Sequence, residues 1–258
     1  MNLLSRVILI VLLLATTAES ALSTLPANSW LNCGTPASLR VDTPITVGIK
    51  FKYIAGSQDF DTLIYFGDLS SIDRWKIQLD SANAWLKVFA DINDAGLSIT
   101  GNDDVTTGSI NTVVVTIDAT AGTVMYINGV SDASSTAAGA KLGFDDLPSG
   151  STFTLGNGCN NVGTCPENTP AERGWDGTIY EAFVSNSIWT TQQILTWTNM
   201  NTHRFPLQDS SILEYWVFDD YDDGNVLTTS ENFTGMVNQI VCTSTASPEG
   251  EVNRELSY

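Results

Sequence analysis

The sequence predicts an all-β fold, a two-sheet antiparallel sandwich of jelly-roll type with one short helix. Three observations predict it. Apolar and polar residues alternate in several short stretches, which is the period of a half-buried strand. These stretches recur at roughly ten-residue intervals with Gly-, Asn- and Asp-containing turns between them, a spacing that suits sandwiches better than β-α-β units. A chain of 258 residues, 43% of them hydrophobic, supplies one large core.

The first strand is Ile45 to Tyr53 (ITVGIKFKY), apolar at every second position. Arg74 to Asp80 (RWKIQLD) repeats the pattern, with Trp75, Ile77 and Leu79 on one face. Trp85 to Phe89, Asn111 to Asp118 and Thr123 to Ile127 are further strands. Turns are expected at Gly56-Ser57, Gly67-Asp68, Asn128-Gly129 and Gly156-Asn157-Gly158, because Gly and Asn accept the backbone angles that tight turns need. The connection 118–123 reads as a short hairpin loop, and Ser131 to Gly150 as a long one. Thr190 and Gln193 have the spacing of a capping box, and Trp189 and Ile194 that of a hydrophobic staple. Ile194, Leu195, Trp197 and Met200 give that helix an apolar side, so it should lie on the sandwich. The tail, Thr243 to Tyr258, is polar and without periodicity.

The two ends and the charge bound the setting. Arg6, the apolar run Val7 to Ala15 and the small residues around Ala18 follow the order of a secretory signal peptide, with cleavage expected after Ser20. The run is shorter than the ~20 residues that span a bilayer. The organisation is therefore a leader over 1–20, one domain over 21–242 and a tail over 243–258, in a secreted protein with no membrane insertion after cleavage. A formal charge of −18 argues against nucleic acid, whose phosphates need Lys and Arg, and against anionic membrane surfaces. Cys33, Cys159, Cys165 and Cys242 are an even set in a secreted chain and allow three connectivities. Cys159 and Cys165 flank a short loop and form the natural local pair, and Cys33 with Cys242 then ties the ends of the domain. Asn232-Phe233-Thr234 is a glycosylation sequon at Asn232.

Three stretches in order carry a resemblance. Val113 to Val130 (VVVTIDATAGTVMYINGV), Phe153 to Asn157 (FTLGN) and Gly174 to Ile194 (GWDGTIYEAFVSNSIWTTQQI) resemble the laminin-G-like branch of the concanavalin A-like superfamily. Ile45 to Phe66 fits that family's earlier pair of strands. The resemblance implies a jelly-roll recognition domain. One segment departs from the family order. Leu213 to Gly224 (LEYWVFDDYDDG) looks like the family's opening strand but comes late. It either exchanges places with the first strand or begins a fragment of a second copy.

The charged and aromatic residues are where chemistry would reside. Glycosidases need two carboxylates facing one sugar, yet no E-x-D-x-E pattern occurs. Glu167 and Glu172 bracket a Pro-containing loop, Glu181 stands alone on its strand, and Asp59 and Asp61 sit beside a turn. His203, the one histidine, has no nucleophile motif near it. Asp219, Asp220, Asp222 and Asp223 form the best metal candidate, because clustered carboxylates repel unless a cation lies between them and Ca²⁺ prefers hard oxygen ligands. The plainer alternative is a hydrated acidic turn. Asp103-Asp104 is a second, weaker candidate. Of the seven tryptophans, Trp75 and Trp216 read as core, and Trp175, beside Gly174 and Asp176, is the one expected to be exposed. Trp175 and Asp176 are thus the expected ligand-binding residues. The expected function is a non-enzymatic recognition or adhesion module for glycan or extracellular protein, with Ca²⁺ the cofactor if there is one. A structural subunit of an extracellular assembly and a hydrolase of the same fold are the alternatives. No motif signals an oligomeric state.

Overall fold

The computed structural model describes residues 30–53, 61–68, 72–80, 84–156, 175, 177–199, 209–217, 229–230 and 243–245. In chain order the strands are β1 (Trp30–Asn32), β2 (Ile45–Tyr53), β3 (Asp61–Gly67), β4 (Arg74–Asp80), β5 (Trp85–Ile92), β6 (Ala95–Asp104) and β7 (Ile110–Asp118). They continue with β8 (Gly122–Ile127), β9 (Val130–Ser135), β10 (Thr152–Leu155), β11 (Gly177–Ser185), β12 (Ile212–Val217), β13 (Thr229–Ser230) and β14 (Thr243–Thr245). The α-helix α1 (Thr191–Asn199) follows β11. The strands form two antiparallel seven-stranded sheets. The front sheet runs β14-β1-β10-β3-β4-β5-β6 and the back sheet β13-β12-β11-β2-β7-β8-β9. This is the jelly-roll sandwich that the sequence predicts.

Period-two alternation explains why the sheets stack. Val47, Ile49 and Phe51 of β2 and Val113, Val115 and Ile117 of β7 point inward from the back sheet. Trp75, Ile77 and Leu79 of β4 and Leu86, Val88, Ala90 and Ile92 of β5 meet them from the front sheet. Each Val, Leu, Ile or Phe side chain among them contributes roughly 1.5–3 kcal/mol on full burial. Trp75 and Trp216 both lie in this core, as expected.

The helix covers the outer face of the back sheet. The Thr190 hydroxyl accepts from the Gln193 amide, and the Gln193 side chain accepts from the Thr190 amide at 2.8 Å, which closes the capping box. Trp189, Ile194 and Trp197 then pack with Val114, Phe183, Ile212 and Tyr215 in a second apolar cluster. Phe183 stacks on Trp189, with centroids 4.2 Å apart, and meets Trp197 edge-on at 5.0 Å. Its ring lies across Gly48, the residue directly opposite it on β2. Only a residue without a side chain leaves that space.

The expected strands over 45–53 and 74–80 coincide with β2 and β4. The 118–122 hairpin is closed by Asp118, whose carboxylate accepts from the Ala121 and Thr120 amides, both at 2.7 Å. Those bonds hold its pKa below the usual carboxylate value. Asn128 and Gly129 both have positive φ, 50° and 82°, as the expected two-residue turn requires.

Three expectations need correction, and one open alternative is decided. Asp103 and Asp104 are the last residues of β6, a strand that no Asn-Gly pair announces because its turn is Asn93-Asp94; both turn residues have positive φ, 51° and 63°. The long loop 131–150 contains β9 and a short 3₁₀ turn at Ala138–Lys141. β9 is small and polar, so no apolar alternation marks it. Leu213 to Val217 lies in β12, paired with β11, so that part of the late segment completes this sandwich. The first three residues of the expected tail form β14 against β1. The leader over 1–20 lies outside the described residues. No helix among the described residues is long and apolar enough to cross a membrane.

The two sheets are joined at one edge by Asp132 of β9. Its carboxylate accepts from the backbone amides of Asn102 (2.9 Å) and Asp103 (3.2 Å) of β6, and Asn102 donates back to the Asp132 carbonyl at 2.8 Å. This seam occupies polar groups on two edge strands, which would otherwise offer a template for strand addition.

Substituting Gly48→Ala should displace the Phe183 ring and loosen α1. The expected cost is about 1–3 kcal/mol of stability, read as a lower midpoint in thermal or urea unfolding, with far-UV β signal retained. An unchanged midpoint would show that the helix does not depend on this contact.

Candidate functional site

The structure places the expected ligand residue Trp175 inside. It is 3% exposed and packs edge-on against Phe51 at 5.1 Å and against Tyr53 at 5.8 Å. Its amide donates to the Gly156 carbonyl at 2.9 Å. The expectation of an exposed ring is therefore corrected. A glycine and an aspartate as neighbours say little about burial when the strand that follows turns the ring into the core. Asp176, Asp219, Asp220, Asp222, Asp223, Cys159, Cys165, Cys242, Asn232, Glu167, Glu172, Asp59 and His203 lie outside the described residues. Cys33 is buried and disulfide-bonded. Among the described residues no three His, Cys, Asp or Glu side chains converge as a metal site.

Glu181 is enclosed under α1. One carboxylate oxygen accepts from the Trp197 indole (3.0 Å) and the Tyr215 hydroxyl (2.9 Å), and the other lies 3.5 Å from the Lys50 ammonium. Lys50 also donates to the Trp197 carbonyl at 3.4 Å and lies 5.1 Å from the Trp197 ring centroid. This network fastens the helix to the back sheet and leaves Glu181 no approach to a substrate.

The arrangement with the most chemistry is the outer face of the front sheet. Alternation sends Arg74, Lys76, Gln78 and Asp80 of β4 outward, opposite to Trp75, Ile77 and Leu79. On β5 the outward set is Trp85, Lys87, Phe89 and Asp91. The register sets these side chains in rows across the strands. Thr154, Tyr65, Lys76, Phe89 and Ser98 form one row. Thr62, Gln78, Lys87 and Thr100 form the next, and Asp80, Trp85 and Asp104 the one after. Three of the chain's eleven basic residues stand on this face.

The face has a closed side and an open side. Tyr65, Lys76, Gln78 and Thr154 are buried, whereas Ser98 and Thr100 are exposed and Trp85 is 39% exposed. The Trp85 indole donates to Asp104 at 2.8 Å, so its ring is held in place on the surface. Lys87 bonds Asp80 at 2.7 Å. Arg74 and Lys76 approach the Phe89 ring, at 5.1 and 5.3 Å from its centroid. The Gln78 side-chain carbonyl and the Thr62 hydroxyl are buried and adjacent across the strands, with no hydrogen-bond partner among the described residues.

Sequence reasoning missed this face because it used the alternation only to find the core. The signal was present in the other half of the same pattern. RWKIQLD and WLKVFADI place cations, an amide, carboxylates and two aromatics at the positions that the core does not use.

A family model of the concanavalin A-like lectin/glucanases superfamily matches residues 26–195. No curated protein sequence matches the chain. Among solved structures the chain is similar to a candidate carbohydrate-binding protein from Bacteroides ovatus, at 16% identity and a TM-score of 0.59 over 89% of this chain. It spans 60% of that protein's length. It is also similar to the CBM40 of the Ruminococcus gnavus IT-sialidase, with 13% identity, a TM-score of 0.58, and 70% of this chain and 97% of that one covered. The heptameric SAP-like pentraxin of Limulus polyphemus gives 13% identity and a TM-score of 0.54, over 91% of this chain and 98% of that one.

Tyr65 supplies a pH test of the closed side. Burial pushes its hydroxyl pKa up to about 12, against a lowering by Arg74 and a further rise from Asp68. The folded protein keeps a proton that the unfolded chain releases above pH 10, so stability should fall as pH rises from 10 towards 12. Tyr65→Phe should make that alkaline decline shallower and remove one late-titrating tyrosinate from an ultraviolet titration. An identical profile in the variant would show that Tyr65 is not enclosed.

Proposed function

The chain belongs to the concanavalin A-like lectin/glucanases superfamily, and on that footing we propose that it is a secreted, non-catalytic recognition module that binds carbohydrate through the outer face of its front sheet. The observation that carries the reading is the set of cross-strand rows on β3 to β6. They present an exposed indole and hydroxyls beside the partly exposed Lys87 on rigid strands rather than loops, the placement that gives a site its precision. The similarity to a CBM40 and to a candidate carbohydrate-binding protein supports it.

Several features argue for recognition over hydrolysis. A glycosidase needs a protonated carboxylic acid and a second carboxylate on opposite sides of one bond. Glu181 is enclosed beneath α1, Asp80 is ion-paired with Lys87, and Asp104 is engaged by the Trp85 indole. These groups hold the fold and the face in place.

The leader-like segment over 1–20 and the disulfide at Cys33 support secretion. The proposal keeps Cys33–Cys242 and Cys159–Cys165 as the pairs. The antiparallel register of β1 with β14, with Asn32 opposite Thr243, favours the first. It also keeps Ca²⁺ at Asp219, Asp220, Asp222 and Asp223 and a glycan at Asn232.

On a glycan array the protein should show saturable binding to at least one saccharide. Lys87→Ala should weaken it roughly tenfold or more, the scale of a lost charged hydrogen bond. Absence of binding to every glycan and matrix component would overturn the reading. Chelation should lower the thermal midpoint if the acidic segment holds calcium; an unmoved midpoint removes the metal from the proposal. A non-reducing peptide map should recover Cys33 linked to Cys242, and any other partner for Cys33 would reject that pairing.

A further inference from the structure

We infer that the open half of the front face takes a neutral, polyhydroxylated saccharide whose ring stacks on Trp85. This rests on the proposal that the face binds glycan, and it goes further by naming the ligand's charge and its platform.

Among the described residues Trp85 is the exposed aromatic on this face. Its indole edge is fixed by Asp104 at 2.8 Å, and it rises from β5 next to the row that contains Gln78, Lys87 and Thr100. A pyranose has an apolar C–H face and a rim of hydroxyls. It suits a flat apolar ring flanked by groups that donate and accept. Phe89 is not an equal platform. It is half-buried and its ring is already approached by Arg74 and Lys76.

The charges decide against an anionic sugar. Lys87 is bonded to Asp80, Arg74 stands directly opposite Asp91 in the register, and Lys76 is enclosed at 3% exposure. Asp80, Asp91 and Asp104 equal the three cations in number, so the face has no surplus positive charge. The whole chain carries −18. A carboxylated or sulfated glycan would approach against that field and would have to separate Lys87 from Asp80.

The test is a binding panel on the intact mature protein. Neutral gluco-, manno- and galacto-oligosaccharides are set against sialylated, uronate-containing and sulfated ones, each at low and physiological salt. Neutral glycans should bind with an affinity that salt leaves unchanged. Trp85→Ala should weaken binding at least tenfold with an unchanged thermal midpoint, and Trp85→Phe should restore most of it. Preferential, salt-sensitive binding of anionic glycans would overturn the inference while leaving the face as a glycan site. Neutral binding untouched by Trp85→Ala would overturn the platform. Absence of all glycan binding would take down the underlying proposal as well.

Discussion

The molecule depends on the requirement that every second side chain of its central strands lie between two sheets. A slip of one residue in β4 or β5 would turn Trp75, Ile77 and Leu79, or Leu86, Val88 and Ala90, out to solvent. The register is therefore strongly determined by core burial alone. Once it is set, the outward residues have no freedom of placement. Tyr65 must meet Lys76, Lys76 must meet Phe89, and Trp85 must stand between Asp80 and Asp104. The outer face of the front sheet is in this sense a by-product of the core. The same burial that stabilises the sandwich holds its outward side chains in rows.

The two outer faces are used differently. The back sheet is closed by α1, through the ring cluster around Phe183 and the polar network of Glu181, Lys50, Trp197 and Tyr215. Burying an ion pair costs desolvation, and the pair persists because its remaining lone pairs and protons are met by an indole, a phenol and a carbonyl. The front sheet carries its ion pairs nearer to solvent. The Lys87 and Asp80 side chains are 23% and 11% exposed, against 6% and 3% for Lys50 and Glu181. Two superficially similar Lys–carboxylate pairs thus differ in burial.

Most of the architecture could be read along the chain because its signals are local. β2, β4, the Asn128-Gly129 turn and the capping box of α1 each rest on interactions between residues close in sequence. β6 and β9 were lost for the same reason. β6 follows a turn whose two residues accept positive φ without a glycine, and β9 packs only Ala133 against the core, too little to mark an inner face, so its pairing with β8 is what reveals it. Trp175 shows the limit for site residues. Nothing adjacent to it indicates that Phe51 and Tyr53, more than a hundred positions earlier, enclose its ring. Trp85 was read as one end of a strand, and its exposure follows from where β6 leaves Asp104.

The sequence by itself determined the all-β class, the sandwich, most of its strands and the helix that rides on it, because alternation and capping are properties of neighbours. The tertiary structure alone decided which aromatic is covered and which is offered, and which carboxylate is locked under a helix and which stands beside a lysine at the surface. Those outcomes depend on cross-strand register and on the packing of distant segments, and no short stretch of chain contains that information.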